Sequence, residues 1–320
     1  MMATVAVLGA CDKASDDAPP LVLPVGAPTL DLATTPQLLF QVFGDTSEPK
    51  LLPVAAVVGG AVQPIGLTLD GWRALDSTYF TPGAKYTVYD NDAVRGSVTV
   101  TRGMWNADGQ ANYPLPGCRD LKPLASVTLA LNERSREPTV EFLASTHPLA
   151  PHRGAAAIPA QATIDRLGRQ YGMALGLSAD LGKEDLEALV FTARMMNSGA
   201  GKEPTLLVSF IDPQAGDVGP GMGHTSHILA LFDKADTGYV ATYRHVKSGE
   251  GRTVEFQRVV DHLDVDGDGI DEMLVESWHF GGNNELVVLG FKAGQWHEIL
   301  RTSSKWCLDP PAKPADGAKP

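Results

Sequence analysis

The alternation of apolar and polar residues predicts mainly β-strands in the first half of the chain. Residues 85–89 and 97–101 are rich in Val, Thr and Tyr, and they flank an Asp-Asn-Asp turn at 90–92, a combination typical of a β-hairpin. Residues 127–131 alternate between apolar and smaller or polar side chains, which predicts a strand with one buried face. We therefore expect residues 29–145 to form a small N-terminal β-domain.

The pattern changes in the middle of the chain. Residues 146–160 are rich in Pro and Ala, which predicts a linker. Residues 161–177 predict a helix, because their apolar side chains recur at helical spacing on one face. Residues 183–189 could start a second helix, whereas residues 190–194 favour a strand that pairs with residues 205–211. The chain is thus expected to have one or two helices in the middle.

From residue 205 onward, short apolar runs are separated by glycine-containing turns. This regular spacing predicts an antiparallel meander with strands like those of a propeller blade. The whole of 161–308 is expected to form one unit, and residues 309–320 a disordered tail. The predicted fold class is therefore α+β, predominantly antiparallel β. The strands are expected at 205–211, 225–233, 238–245, 253–261, 273–280, 285–291 and 295–302.

Composition narrows the classes of function. With 43% hydrophobic and 20% charged residues the chain is expected to be globular. Its net charge of −12 argues against a nucleic-acid partner, because phosphates require cationic side chains. No run of about 18 apolar residues occurs, so no membrane-spanning helix is predicted.

An acidic segment near the C-terminus carries the clearest motif of the chain. No Lys or Arg lies between Arg258 and Lys292. Carboxylates so close together raise one another's pKa values unless a cation neutralises them. Oxygen ligands without cysteine favour Ca²⁺ over Zn²⁺. The carboxylates of this segment are Asp261, Asp264, Asp266, Asp268, Asp271, Glu272, Glu276 and Glu285.

The spacing of these carboxylates distinguishes between two families of calcium loop. An EF-hand loop that starts at Asp264 would need an acidic residue at its twelfth position, which is Val275. The pattern Asp-x-Asp-Gly-Asp-Gly-x-x-Glu running into a strand instead resembles the calcium loops of FG-GAP/VCBS-type repeats. This resemblance implies that Ca²⁺ is held by the side chains of Asp264, Asp266, Asp268 and Glu272 and by the carbonyl of Ile270.

The start of the chain resembles a second family. Leu8-Gly9-Ala10-Cys11 resembles the lipobox of bacterial lipoproteins, in which a signal peptidase cuts before a cysteine that then receives lipid. The resemblance implies that residues 1–28 comprise a signal and a flexible tether. It also implies attachment through Cys11 to the periplasmic face of the inner or outer membrane of a bacterial cell envelope.

The remaining cysteines, Cys118 and Cys307, are a candidate disulfide pair if Cys11 carries lipid. A bridge between them would close a long loop, which stabilises a fold by restricting the unfolded chain. Two unrelated buried thiols are the alternative.

Catalytic motifs are scarce, and a binding or scaffolding role is therefore expected, with an envelope protein or a glycan as partner. The alternative is a metal-dependent envelope hydrolase. Its metal would be bound by His224 and His227 in a glycine-rich segment, and Asp212, Asp217 and His245 could complete the site. On a strand, histidines three residues apart point to opposite faces, so this site would require the segment to curl.

Overall fold

The computed structural model describes residues 30–105, 123–133, 138–149, 156–215, 223–280 and 284–302. Within these residues, the N-terminal part has seven strands and one helix after a short 3-10 turn at Leu32–Thr34. They are β1 Gln37–Asp45, β2 Lys50–Val58, β3 Ala61–Gln63, α1 Leu69–Tyr79, β4 Lys85–Asp90, β5 Ala93–Arg102, β6 Ala125–Leu131 and β7 Thr139–Ser145.

These seven strands form one antiparallel sheet that closes on itself. The strand order is β1-β7-β4-β5-β6-β2-β3, and β1 also pairs with β2, so that six strands make a barrel to which β3 is attached. Alternation along β1 directs Phe40 and Val42 to the barrel interior, where Trp72 and Leu75 of α1 join the same core. Leu39 faces the other way and packs outside the barrel.

The rest of the described chain contains two helices and two four-stranded meanders. The first meander has the order β11-β10-β9-β8 and the second has the order β12-β13-β14-β15. The elements are α2 Gln161–Ser178, α3 Lys183–Ala188, β8 Val190–Met196, β9 Thr205–Ile211, β10 His224–Ala235, β11 Gly238–Glu250, β12 Glu255–Leu263, β13 Glu272–His279, β14 Glu285–Lys292 and β15 Gln295–Arg301.

The layers are stacked in the order helix α2, first meander, second meander, barrel. One face of the first meander packs against α2, with Phe210 and Ile228 at the contact. Its other face, with Leu229 and Leu231, packs against the second meander. The second meander then uses its far face, including Leu274, against the outside of the barrel. Both faces of the second meander are therefore covered, which explains the nearly continuous apolar run at the start of β13.

The predicted fold class is confirmed, since the chain is α+β and mostly antiparallel β. The predicted helix at 161–177 is α2, and the segment after it forms both a short helix, α3, and the expected hairpin β8–β9. The hairpin around residues 90–92 is β4–β5. Helix α1 was not predicted, because the N-terminal region was expected to contain only strands.

Candidate metal centre and neighbouring sites

The acidic loop connects β12 to β13. Gly267 and Gly269 adopt φ angles of +82° and +90°, which residues with side chains rarely adopt. These two glycines let the chain turn tightly, so that aspartate side chains before and between them come close together. One oxygen each from Asp264, Asp266 and Asp268 can be chosen so that all three lie within 4.8 Å of one another.

Backbone N–H groups of the loop hold these carboxylates in place. Asp264 accepts hydrogen bonds from Gly267 through Oδ1 at 2.8 Å and from Gly269 through Oδ2 at 3.1 Å. Oδ1 of Asp266 accepts from the N–H of Asp268 at 3.1 Å. Oδ1 of Asp268 in turn accepts from the N–H of Ile270 at 2.7 Å. The loop is thus folded around the three aspartate carboxylates of its own motif, each of which accepts a hydrogen bond from an N–H group further along the loop.

Glu272, the fourth side chain predicted as a ligand, is the first residue of β13 and is not a member of this group of three. It is buried, and its Oε2 accepts the N–H of Val265 at 3.0 Å. Burial, and then the neighbouring charges of the three aspartates, raise the pKa of Glu272 to about 8. Burial also raises the pKa of Asp266, with Asp268 and Asp264 adding to the effect. A bound cation would act against each of these shifts.

The remaining predicted ligand, Ile270, faces the interior with its side chain. That side chain packs against the core between the two meanders, and its N–H is bonded to Asp268. The loop is therefore anchored in the core at its C-terminal end, while Asp268 is exposed to solvent.

A buried pair that was not predicted supports the base of the loop. Nδ1 of His262 lies 2.5 Å from Oδ2 of Asp271, and both residues are buried. The N–H of Asp271 donates to the carbonyl of Ser198 at 2.8 Å, which ties the loop to the first meander. The sequence contains no signal for this pairing beyond the acidic character of the segment.

The histidines proposed for the alternative metal site are not brought together. His227 is fully buried, and its Nδ1 donates to the carbonyl of Phe210 at 3.0 Å, while its Nε2 accepts the N–H of Gln257 at 2.9 Å. His224 is exposed, with Nε2 at 3.0 Å from Oγ of Ser248. Both ring nitrogens of His227 are thus occupied by the backbone.

The third residue of that alternative site, Asp212, has different partners. Its carboxylate accepts hydrogen bonds from the hydroxyl of Thr225 at 2.6 Å and from the N–H of Gln214 at 2.8 Å. Across the described part of the chain, the group formed by Asp264, Asp266 and Asp268 is the one cluster with metal-ligand spacing. Among the described residues, His224, His227 and Asp212 thus do not form a cluster with metal-ligand spacing, and the hydrolase alternative stays a prediction.

The lipidation site and the candidate disulfide, namely Cys11, Cys118 and Cys307, lie outside the described residues. None of the helices that the structure describes is both long enough and apolar enough to cross a membrane. Comparison with protein-family models, with curated proteins and with solved structures gives no match for this chain.

Proposed function

We propose that this chain is a calcium-stabilised binding or scaffolding protein of the bacterial cell envelope. The observation that carries the proposal is the convergence of Asp264, Asp266 and Asp268 within one loop. The buried carboxylate of Glu272 is near enough for their charges to raise its pKa. This ligand set consists of hard oxygen donors, which Ca²⁺ prefers. Three aspartates held together by their own backbone also repel one another, and a divalent cation relieves that repulsion.

The calcium ion would act as a clamp between β12 and β13. The side chains of Asp264, Asp266, Asp268 and Glu272 and the carbonyl of Ile270 would hold it. Because β12 and β13 belong to the meander that packs against both the barrel and the first meander, a rigid loop here stabilises the contacts of all three sheets. Stability would then increase with the concentration of free calcium, since the ion binds the folded chain.

Calcium binding is tested by isothermal titration calorimetry on the full chain after removal of divalent ions. We expect one calcium ion per chain and much weaker binding of Mg²⁺, which prefers a small octahedral site with several water ligands. Asp268→Ala should abolish the heat of calcium binding. Asp236→Ala, in the exposed turn between β10 and β11, should leave this heat unchanged. Saturable calcium binding that persists in the Asp268→Ala variant would contradict the proposed ligand set.

The anchoring part of the proposal rests on the resemblance of Leu8-Gly9-Ala10-Cys11 to a lipobox. Lipid on Cys11 would hold the protein at a membrane, and the tether up to residue 28 would let the folded part reach its partner. Cys11→Ser should release the full-length protein from the membrane fraction of bacterial cells. Continued membrane association of this variant would contradict lipid anchoring.

A further inference from the structure

A cavity of about 400 Å³ lies between the barrel and the second meander. Its volume falls in the range of about 300–1,000 Å³ that is typical of small-molecule sites, which often occur where two units meet. One side of the cavity is formed by β1, β2 and β7 of the barrel. The opposite side is formed by β12, β13 and β14.

One wall of this cavity is a continuous row of planar polar side chains. Nε2 of Gln41 donates to Oε1 of Glu141 at 3.1 Å. Arg258 binds Glu141 with two parallel hydrogen bonds of 2.6 and 2.9 Å and also pairs with Glu276. Asn284 donates to the other oxygen of Glu276. Five planar groups from both units are thus linked in one network.

The other part of the cavity lining is apolar. This apolar part consists of the aromatic residue Phe43 and of four aliphatic or proline residues, namely Leu52, Pro53, Val140 and Leu286. The cavity therefore offers hydrogen-bonding groups along one edge and an apolar surface beside them. A ligand that fits it must itself have a polar edge and an apolar face.

The charges of the lining decide which polar ligand fits. Arg258 is already neutralised by two carboxylates, Glu141 and Glu276, so the network carries an excess of negative charge. An anionic ligand would be repelled by these carboxylates and would have to break an existing bidentate pair. A carboxylate has about four lone-pair sites, two on each oxygen. Oε1 of Glu141 already accepts two hydrogen bonds, whereas Oε2 of Glu141 and both oxygens of Glu276 have one partner each in this network and can accept another.

We propose that this cavity binds a neutral glycan through a pyranose ring. A pyranose carries adjacent hydroxyl groups that both donate and accept, which matches neighbouring oxygens and N–H groups on planar side chains. Its C–H face is apolar and can pack against Phe43. The inference rests on the proposed binding function, and it names the site and the chemical class of the ligand.

Arg258 also lines a second cavity of about 410 Å³, which is bordered by β8, β9, β10 and β12. That cavity contains the polar side chains of Thr192, Arg194 and Ser209 among apolar neighbours. Since one arginine borders both spaces, an oligosaccharide is a more suitable probe than a single sugar.

The test is saturation-transfer-difference NMR on the full chain with four neutral trisaccharides, built from glucose, mannose, galactose and N-acetylglucosamine units. We expect saturation transfer to at least one of them. Trisaccharides that bind should compete with one another, as expected for a single class of site. Arg258→Ala should weaken binding by about tenfold or more, the effect of losing hydrogen bonds to charged groups. Asn284→Ala, at an exposed position, should weaken binding by a smaller factor.

Arg95→Ala is the matched control, because Arg95 pairs with Asp90 and Glu133 and lines neither of these two cavities. It should bind the glycan as the natural chain does. Absence of transfer to all four trisaccharides would overturn the proposal, as would equal binding by the Asn284→Ala and Arg258→Ala variants. An acidic trisaccharide is added as a fifth probe, and preferential binding of it would also overturn the proposal.

The same samples separate this inference from the calcium clamp. A calcium-dependent melting temperature without glycan binding would refute the glycan site and leave the calcium clamp supported. Glycan binding without any effect of calcium on the melting temperature would refute the calcium clamp and leave the cavity as the functional site.

Discussion

Nδ1 of His262 and Oδ2 of Asp271 lie 2.5 Å apart in a buried pair that closes the base of the acidic loop. His262 is near the end of β12, and Asp271 immediately precedes β13. The pair therefore joins the two strands at the point where the loop leaves the sheet. We therefore expect this contact to help position the loop carboxylates.

Replacing Asp271 by Ala should destabilise the fold by about 1–3 kcal/mol, because the buried imidazole of His262 loses its hydrogen-bond partner. The free energy of unfolding in urea measures the effect. The exposed Asp236→Ala variant should change that free energy by less than about 0.5 kcal/mol. Equal stability of the two variants would show that the buried pair does not support the loop.

Removing a carboxylate from the loop should eliminate the stabilisation that calcium provides. At a calcium concentration of about 100 times the dissociation constant, binding contributes about 2.7 kcal/mol to the free energy of unfolding. Asp266→Ala should lose this contribution and change the stability in chelator only slightly, since it removes one hydrogen bond, to the N–H of Asp268. Full calcium-dependent stabilisation of the variant in urea unfolding would contradict a role for Asp266 as ligand.

Acidification should destabilise the protein through His227. Burial, together with the nearby His245, lowers the pKa of His227 to about 3 from its usual 6.5. The unfolded chain therefore binds a proton at this histidine that the folded chain does not, and the contribution of His227 to stability falls as the pH decreases from about 6.5 towards 3. The raised pKa of Glu272 contributes with the opposite sign, so the effect of His227 is read as the difference between the natural chain and a variant at this position. Protonation of Nε2 would also remove the acceptor for the N–H of Gln257.

The pH effect is measured by urea unfolding at several pH values between 4 and 7. His227→Gln keeps one donor and one acceptor but does not titrate. Relative to the natural chain, this variant should become more stable as the pH decreases over this interval. An unchanged slope would assign the acid sensitivity to other groups.

The packing of α2 against the first meander should not tolerate a methyl group at Gly172. A Cβ there would lie 2.6 Å from Cε2 of Phe210 and 2.7 Å from Cγ1 of Val208. Overpacking of this kind costs about 1–3 kcal/mol, which exceeds or offsets the gain of about 1 kcal/mol in helix propensity. We therefore expect Gly172→Ala to lower the urea midpoint, whereas Gly66→Ala, whose Cβ would meet nothing within 4 Å, should not. A stabilised Gly172→Ala variant would contradict this packing.

Local patterns were sufficient to predict most strands of the C-terminal half. The strand expected at 205–211 is observed as Thr205–Ile211, and the strand expected at 295–302 is observed as Gln295–Arg301. The turns contain glycines with positive φ, such as Gly238 and Gly294, which interrupt the alternation clearly. Helix α1 was missed because it is short and contains Gly71, and because its stability comes from packing of Trp72 into the barrel core.

The acidic loop could be found in the sequence because its carboxylates follow one another within nine positions. The polar network in the cavity between the barrel and the second meander could not be found in the sequence. Gln41 and Glu141 are 100 residues apart, and Glu141 and Arg258 are 117 residues apart. No local pattern links them. Their association depends on how the barrel packs against the second meander, which only the three-dimensional structure reveals.

The most direct test of the calcium clamp is a thermal melt of the full chain, first with calcium and then with an excess of chelator. Calcium should raise the melting temperature by several degrees, and about 1 kcal/mol of stabilisation corresponds to roughly 2–4 °C for chains of 150–250 residues. Magnesium at the same concentration should have a much smaller effect. Identical melting temperatures in calcium and in chelator would contradict the calcium clamp, because the loop from Asp264 to Glu272 would then fold without a metal ion.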